Sequence, residues 1–286
     1  MDNIYYRNNQ NSKISFNKDS LYIDCDNCFA LCCVALYFSA SEGFPKDKHA
    51  GEPCPNLQSD FRCKVHSHLI KKGYKGCCAF DCFGAGPKVS QHTFGGVNWK
   101  THPESAKLMF DAFLVMRQLH ELLWYLTVNI QPEQPIYEEL SIMLDKTLQL
   151  TYLNPDSLVK LDVAAHREKV NAVLLKISEL VRAQASLGKN QNKKPIRKSK
   201  NYIAANLKGY SLVGSNLRGA CFIAADLRDV DFSGADLIGS DFRDANICGA
   251  DLSGSIFLTQ AQLNVSKGDF ATKLPSTLSR PIHWTK

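Results

Sequence analysis

NYIAANLKGY SLVGSNLRGA CFIAADLRDV DFSGADLIGS DFRDANICGA DLSGSIF, residues 201–257, repeats with a period of five. Leu207, Leu212, Leu217, Phe222, Leu227, Phe232, Leu237, Phe242, Ile247, Leu252 and Phe257 fall on every fifth position without a slip. Two places before each stands a mostly small residue, among them Ala205, Ser215, Ala220, Ala225, Val230, Ala235, Ser240, Ala245, Ala250 and Ser255; Tyr210 is the bulky member. A polar residue, usually Asp or Asn, directly precedes the large one, as at Asn206, Asp226, Asp236 and Asp251; Cys221 and Ile256 are the exceptions. A period of five matches neither an amphipathic helix nor a long strand. It requires the chain to turn about a quarter circle per repeat, so that four repeats close a coil of roughly twenty residues and coils stack about 4.8 Å apart. The large residues form one inward ladder and the small ones the other, because so narrow an interior has no room for two large ladders.

The unit A-[DN]-L-x-x, as in Ala225-Asp226-Leu227 and Ala235-Asp236-Leu237, resembles the pentapeptide-repeat family. The resemblance implies a right-handed quadrilateral β-helix over residues 201–259, just under three coils and roughly 14 Å of stack. Open coil ends need covering against edge pairing. Residues 260–286, with Leu263, Phe270, Leu274 and Trp284, are expected to cap one end. The recurrent Asp residues are expected to serve the turns, and Cys221 and Cys248 to point outward.

Upstream lies a basic segment, 188–200, with six Lys or Arg and no acid, expected to be a flexible linker. It accounts for the whole net charge of +6, since the other segments cancel; residues 201–260 alone carry 4 basic and 7 acidic side chains. The linker has no interleaved aromatic platform, so direct nucleic-acid binding is not expected. Residues 101–187 have helical periodicity. The pattern predicts helices over Glu104–Thr127, Tyr137–Leu150 and Ser157–Leu187, with Met109, Phe113, Met116, His120 and Leu123 on one buried face. His120 reads as a core histidine with a hydrogen-bond partner.

Eleven Cys are present, nine of them between Cys25 and Cys82. Residues 1–20 are polar and read as a flexible N-terminus. The longest apolar run, Phe29–Phe38, is too short to span a bilayer, and no basic region followed by an apolar segment precedes it. A cytoplasmic, bacterial protein without membrane association is therefore expected, and clustered Cys in that setting point to metal before disulfides. The Cys-rich segment is placed at 21–100. Its order is Cys25-x2-Cys28-x3-Cys32-Cys33, then Cys54, Cys63, Cys77-Cys78 and Cys82, with His66 three places after Cys63. Thiolate pairs from distant segments suit a tetrahedral zinc site or an iron–sulfur cluster. The Gly84–Gly86 pair after Cys82 reads as a turn, since neither phosphate-loop spacing is met.

CDNCFALCC (25–33), GEPCPNL (51–57), FRCKVH (61–66) and GCCAFDC (76–82) together resemble the zinc- or iron-chelating domain family defined by C-x2-C-x2-C-C. Here three residues rather than two precede Cys32-Cys33. A related module in flagellin lysine N-methylases is associated with iron–sulfur chemistry. The resemblance implies metal ligation by Cys25, Cys28, Cys32, Cys33, Cys54, Cys63, Cys77 and Cys82, with zinc and iron–sulfur both open. The expected function is a metal-binding pentapeptide-repeat protein that acts as an interaction, sensor or adaptor module and docks a protein partner on its solenoid. One alternative is an iron–sulfur enzyme modifying a peptide or protein. Another is a DNA mimic that binds topoisomerase, disfavoured because the solenoid is short and only mildly acidic. The sequence names no Ser/His/Asp set, paired carboxylates or nucleotide fingerprint.

Overall fold

A computed structural model describes residues 3–4, 16–128, 130–187 and 199–284. The chain divides into two compact units: Met1–Gly76 with Asp81–Leu174, and Cys77–Phe80 with Leu175–Lys286. In the first unit, β1 (Asn3–Ile4) pairs antiparallel with β2 (Phe16–Asn17). The N-terminal stretch expected to be flexible therefore contributes a strand pair and buries Phe16; residues 1–2 and 5–15 lie outside the described residues, as does most of the basic linker, 188–198. Short helices follow: α1 (Leu31–Ala35), α2 (Lys75–Cys78) and α3 (Ala85–Pro87), the last running into a π-helical turn at Lys88–Thr93.

The core of the first unit is α4 (Pro103–Leu126), on which α5 (Tyr137–Leu150) and α6 (Pro155–Val159) pack. Pro103 opens α4 where a missing N–H costs nothing. Met109, Phe113, Met116, His120 and Leu123 are all buried, as the periodicity requires. The single helix expected over Ser157–Leu187 is instead two, α6 and α7 (Val163–Leu187). Each helix has its own side-chain start signal, and that of Asp162 falls at the break. Asn154 caps α6 by accepting from Ser157 N–H at 2.9 Å, and Asp162 accepts from Ala165 N–H at 2.9 Å. A local side-chain acceptor of that kind starts a new helix more readily than it sits inside one.

The second unit is the solenoid. Parallel bridges join residues twenty apart: Asn201 to Cys221, Asn206 to Asp226, and so on every fifth residue to Asp236 with Ile256. Every large residue from Leu207 to Phe257 is buried, and Tyr202 extends the ladder one step upstream. In the small ladder Ala220, Ala225, Val230, Ala235, Ala245 and Ala250 are almost completely buried, whereas Tyr210, the bulky member, is only partly buried.

Each corner is a turn in which the large residue's carbonyl accepts the N–H three places on, as in Leu217 O from Ala220 N at 2.9 Å. From Ala204 to Gly249 the third residue takes positive φ, which defines a type II turn and favours glycine there. The preceding Asp or Asn accepts from the residue two places on, as Asp231 does from Ser233 N–H at 2.9 Å and Asp236 from Ile238 N–H at 3.0 Å. Pairing runs past Thr259, through Asn246 with Lys267 and Asp251 with Lys273. The extra residues form α8 (Gln260–Asn264), whose Gln262 donates to the carbonyls of Leu237 and Ser240 at 2.9 and 2.8 Å. Trp284 covers Gly268 and donates from Nε1 to Ser266 O at 3.1 Å.

The last turns of α7 belong to this unit and lie along one corner of the coils. Arg182 Nε donates to Gly214 O at 3.1 Å, and a Cβ on Gly234 would stand 2.3 Å from Ala185 Cβ. Gly219 and Gly234 share φ +64, yet a Cβ on Gly219 meets nothing within 4 Å. Gly219→Ala is therefore expected to cost about 1 kcal/mol for its backbone alone. Gly234→Ala should cost about 1–3 kcal/mol more, because the helix must shift. Equal urea midpoints for the two variants would show that α7 is not held at this corner.

Candidate metal centre

Of the eight cysteines expected to ligate, Cys25, Cys28, Cys32, Cys33, Cys54, Cys63 and Cys82 fall in the first unit; Cys77, with Cys78, falls in the second. The seven come from separate segments that the backbone ties together. Cys54 N–H donates to Cys33 O at 3.0 Å, and Gly51 N–H to Val34 O at 2.8 Å. Phe29 N–H donates to the buried Ser90 Oγ at 3.0 Å, and Trp99 Nε1 to Phe29 O at 2.8 Å. The thiols form a connected set. Cys32 and Cys33 have their sulfurs 4.0 Å apart, and Cys33 also hydrogen-bonds Cys63. Cys32 lies within electrostatic reach of Cys25, Cys28 and Cys82, and Cys33 of Cys54.

Charge on this set is disfavoured while only protons are bound. Hydrogen bonding to Cys32 raises the Cys33 thiol, and hydrogen bonding to Cys33 raises Cys63. Burial raises Cys25 and Cys28 and pushes Cys82 up to about 12. Cys32 is helped by its bond from Cys33, but burial and the neighbouring thiols outweigh that.

Against this, several sulfurs face backbone N–H groups that favour a thiolate. Asn56 N–H donates to Cys54 Sγ at 3.5 Å. The amides of Val65 and His66 act on Cys63, those of Ala30 and Leu31 on Cys28, and those of Gly84 and Gly86 on Cys82. His66 thus contributes its backbone to the site, while its side chain is exposed.

Whether these residues suit a metal divides into chemistry and geometry. As donors they suit one: soft sulfurs, gathered from distant segments, with amides aimed at them. Two sulfurs on one zinc stand about 3.8 Å apart for 2.3 Å bonds, close to the Cys32–Cys33 separation. Yet among the described residues no three His, Cys, Asp or Glu side chains converge closely enough to hold an ion as they stand.

Gly86 and Ser90 belong to the site although no sequence motif marked them. A Cβ on Gly86 would sit 2.6 Å from Cys28 Sγ, and one on Gly84 1.9 Å from Ser20 O. The Gly84–Gly86 turn is thus a close-approach surface for a cysteine. The one visible signal was its position directly after Cys82.

His120, buried beside this segment, donates from Nδ1 to Phe83 O at 2.7 Å. Burial lowers its pKa from 6.5 to about 4. The folded state therefore binds this proton less readily than the unfolded one. Stability from His120 is complete above pH 6.5 and is lost as pH falls toward 4, by about 3 kcal/mol. In His120→Gln, the decline in urea midpoint between pH 7 and pH 4 should be shallower by that amount; an unchanged slope would contradict it.

The twenty-residue pairing and the two ladders define a pentapeptide-repeat solenoid, and the sequence model "Pentapeptide repeats" matches residues 203–234 and 225–257, with eight copies. The chain is 55% identical over 266 residues to the uncharacterized protein YybG of Bacillus subtilis (strain 168), covering 92% of this chain and 95% of that one. It belongs to the same family as YybG. Among solved structures, a pentapeptide repeat protein from the Arabidopsis thaliana thylakoid lumen aligns at 25% identity over 28% of this chain and 51% of its own, with a TM-score of 0.21. HetL of Nostoc sp. strain PCC 7120, a pentapeptide repeat protein involved in heterocyst differentiation regulation, aligns at 22% identity over 24% of this chain and 34% of its own, with a TM-score of 0.16. At such scores the fold assignment rests on this chain's own pairing. No helix among the described residues is long and apolar enough to cross a membrane.

Proposed function

We propose that the protein is a cytoplasmic metal-binding adaptor, with a thiolate centre in its first unit and a pentapeptide-repeat solenoid that docks a protein partner. The observation that carries the first half is the connected set of seven thiols drawn from residues 25–33, 54, 63 and 82. Cys28, Cys54, Cys63 and Cys82, each facing backbone amides, are the foremost candidate ligands, with Cys25, Cys32 and Cys33 beside them. Cys77 remains a candidate from the sequence resemblance alone. Zinc bound there would staple the segments together; an iron–sulfur cluster would add electron transfer or sensing. Either would displace protons from thiols that burial otherwise keeps neutral.

The second half is supported by the repeat class and by the solenoid's surface charge. Asp226 pairs with Arg228, Asp241 with Arg243 and Asp251 with Lys273. Such a surface carries mixed charge, which suits a protein partner better than it imitates a nucleic-acid backbone.

Anaerobic purification, metal analysis and a visible spectrum of the same sample test the centre. Brown protein with about four iron and four sulfide per chain indicates a cluster; colourless protein with about one or two zinc indicates a staple. Folded protein with no metal and free Cys28, Cys54, Cys63 and Cys82 would overturn the proposal.

A further inference from the structure

Between Asp60 and Asp81 the chain carries five Lys or Arg residues and no acid. Lys64, Ile70, Lys71, Lys72 and Lys75 are all exposed, Ile70 by 44%. Among the described residues Lys64, Lys71 and Lys72 carry no ion pair, whereas Lys107, Arg228, Arg243 and Lys273 each pair with a carboxylate. The flanking acids are engaged elsewhere. Asp60 accepts from Arg62 N–H at 3.0 Å, and the buried Asp81 from Phe83 N–H at 2.8 Å. Asp26 takes Arg62, the one arginine of the stretch, in an ion pair. The 40–47 turn adjoins Lys75 through Gly43, and its Asp47 accepts from Ala40 N–H at 2.8 Å.

These cations stand on a closed lobe, residues 64–75. Asn56 joins its two ends: the carbonyl accepts from Lys64 N–H at 2.8 Å, and Nδ2 donates to the Tyr74 hydroxyl at 2.8 Å. The Tyr74 ring packs edge-on against the buried Phe44 at 5.1 Å. Within the lobe Val65 is buried, and Lys72 N–H donates to His68 O at 2.9 Å in a helical turn. Gly73, at φ +78, ends that turn: its N–H donates to Ile70 O at 3.0 Å and Tyr74 N–H to Leu69 O at 2.9 Å, the paired bonds of a glycine helix stop. Lys71 and Lys72 are thus held out to solvent beside Ile70 on backbone that is already fixed. Compact loops with joined ends frequently carry function, and a fixed backbone lowers the ordering cost of docking.

We propose that the 64–75 lobe is a docking surface for an acidic segment of a protein partner, with Lys64, Lys71, Lys72 and Lys75 meeting its carboxylates and Ile70 taking an aliphatic side chain. The surface lies in the first unit and is additional to the one proposed on the solenoid. Lysine meets a carboxylate as a mobile point charge, whereas a phosphate backbone is held best by the planar fork of arginine. The lobe has no arginine, and its one aromatic ring, Tyr74, is committed to Phe44 and offers no platform for a base. A lone exposed aliphatic side chain also falls short of the apolar face that insertion among lipids needs. Positive charge around one apolar contact fits an acidic peptide.

The test uses the full-length protein and a short fluorescein-labelled peptide, glutamate throughout except for one central leucine. Anisotropy measures binding. Carbodiimide coupling of lysine amines to the peptide carboxylates, mapped by mass spectrometry, locates the contact. Wild type should bind saturably, with cross-links concentrated on Lys64, Lys71, Lys72 and Lys75. The double change Lys71→Gln with Lys72→Gln should weaken binding about tenfold, and Ile70→Ser about fivefold. The control Lys160→Gln with Lys169→Gln removes the same charge from exposed positions elsewhere in the first unit and should stay within about twofold of wild type. Every substituted side chain is exposed, and circular dichroism verifies the fold. No saturable binding by wild type, equal weakening by the lobe and control pairs, or cross-links spread over the other lysines would overturn the proposal. Tighter binding of duplex DNA or of phosphatidylserine vesicles than of the peptide would overturn the protein partner.

Discussion

Phe222→Ala is expected to lower the stability of the solenoid by about 3–5 kcal/mol. Phe222 is completely buried and lies at the middle of an aromatic column. Its ring stacks on Tyr202 at 5.1 Å and on Phe242 at 5.2 Å, with Phe232 edge-on at 6.3 Å. Those partners come from the coils before and after, so truncation removes contacts in both directions along the stack. The interior cannot collapse into the gap, because the coil spacing is fixed by backbone pairing at every fifth residue. The lost burial and the residual cavity therefore add. In a stacked-repeat architecture, weakening one coil also weakens its interfaces with both neighbours. Urea unfolding followed by circular dichroism measures the effect. Phe270, 61% exposed, provides the control: Phe270→Ala should stay within about 0.5 kcal/mol. A Phe222→Ala loss no larger than that control would contradict the buried column.

Arg218→Ala is expected to cost about 3–5 kcal/mol. Its Nη1 lies 3.0 Å from Oδ2 of Asp236, which sits on the next coil and is completely buried. Asp236 also accepts from Ile238 N–H at 3.0 Å to form its turn. Removing the guanidinium leaves that carboxylate in a dry site with only the turn hydrogen bond among the described interactions. The pairs of Arg228 with Asp226 and Arg243 with Asp241 lie at the surface instead, so Arg228→Ala and Arg243→Ala should each cost about 1 kcal/mol or less. The double change Arg218→Met with Asp236→Asn keeps the turn acceptor and removes the buried charge. It should recover more than half of the loss, since desolvation of the unpaired carboxylate is the main cost. No recovery in the double variant would show that Arg218 acts through its packing and not through Asp236.

The period of five by itself determined a coiled solenoid, its twenty-residue turn and the identity of both inward ladders. A side-chain pattern that repeats with the backbone leaves one geometry in which every large residue is buried and every strand-like segment paired. The helical periodicity of residues 103–150 was likewise legible, because α4 and α5 each turn one apolar stripe inward. The break at residues 160–162 was not, since no glycine or proline marks it and the local acceptor of Asp162, which takes the Ala165 N–H, starts α7 anew there. Nor was the frequent glycine at the third position of the corners, as at Gly209, Gly214, Gly219, Gly234, Gly239 and Gly249, explained by sequence; its reason is the positive φ of a type II turn. The cysteines were visible as a cluster along the chain, but spacing says nothing about which sulfurs meet. Tertiary structure alone brought Cys33 to Cys63 and Cys54, set Gly86 against Cys28, placed Cys77 in the second unit and buried Lys48 among the carbonyls of Val34, Leu36 and His49. Such contacts join residues up to several dozen positions apart through non-repeating loops, where no periodic rule relates position in sequence to position in space.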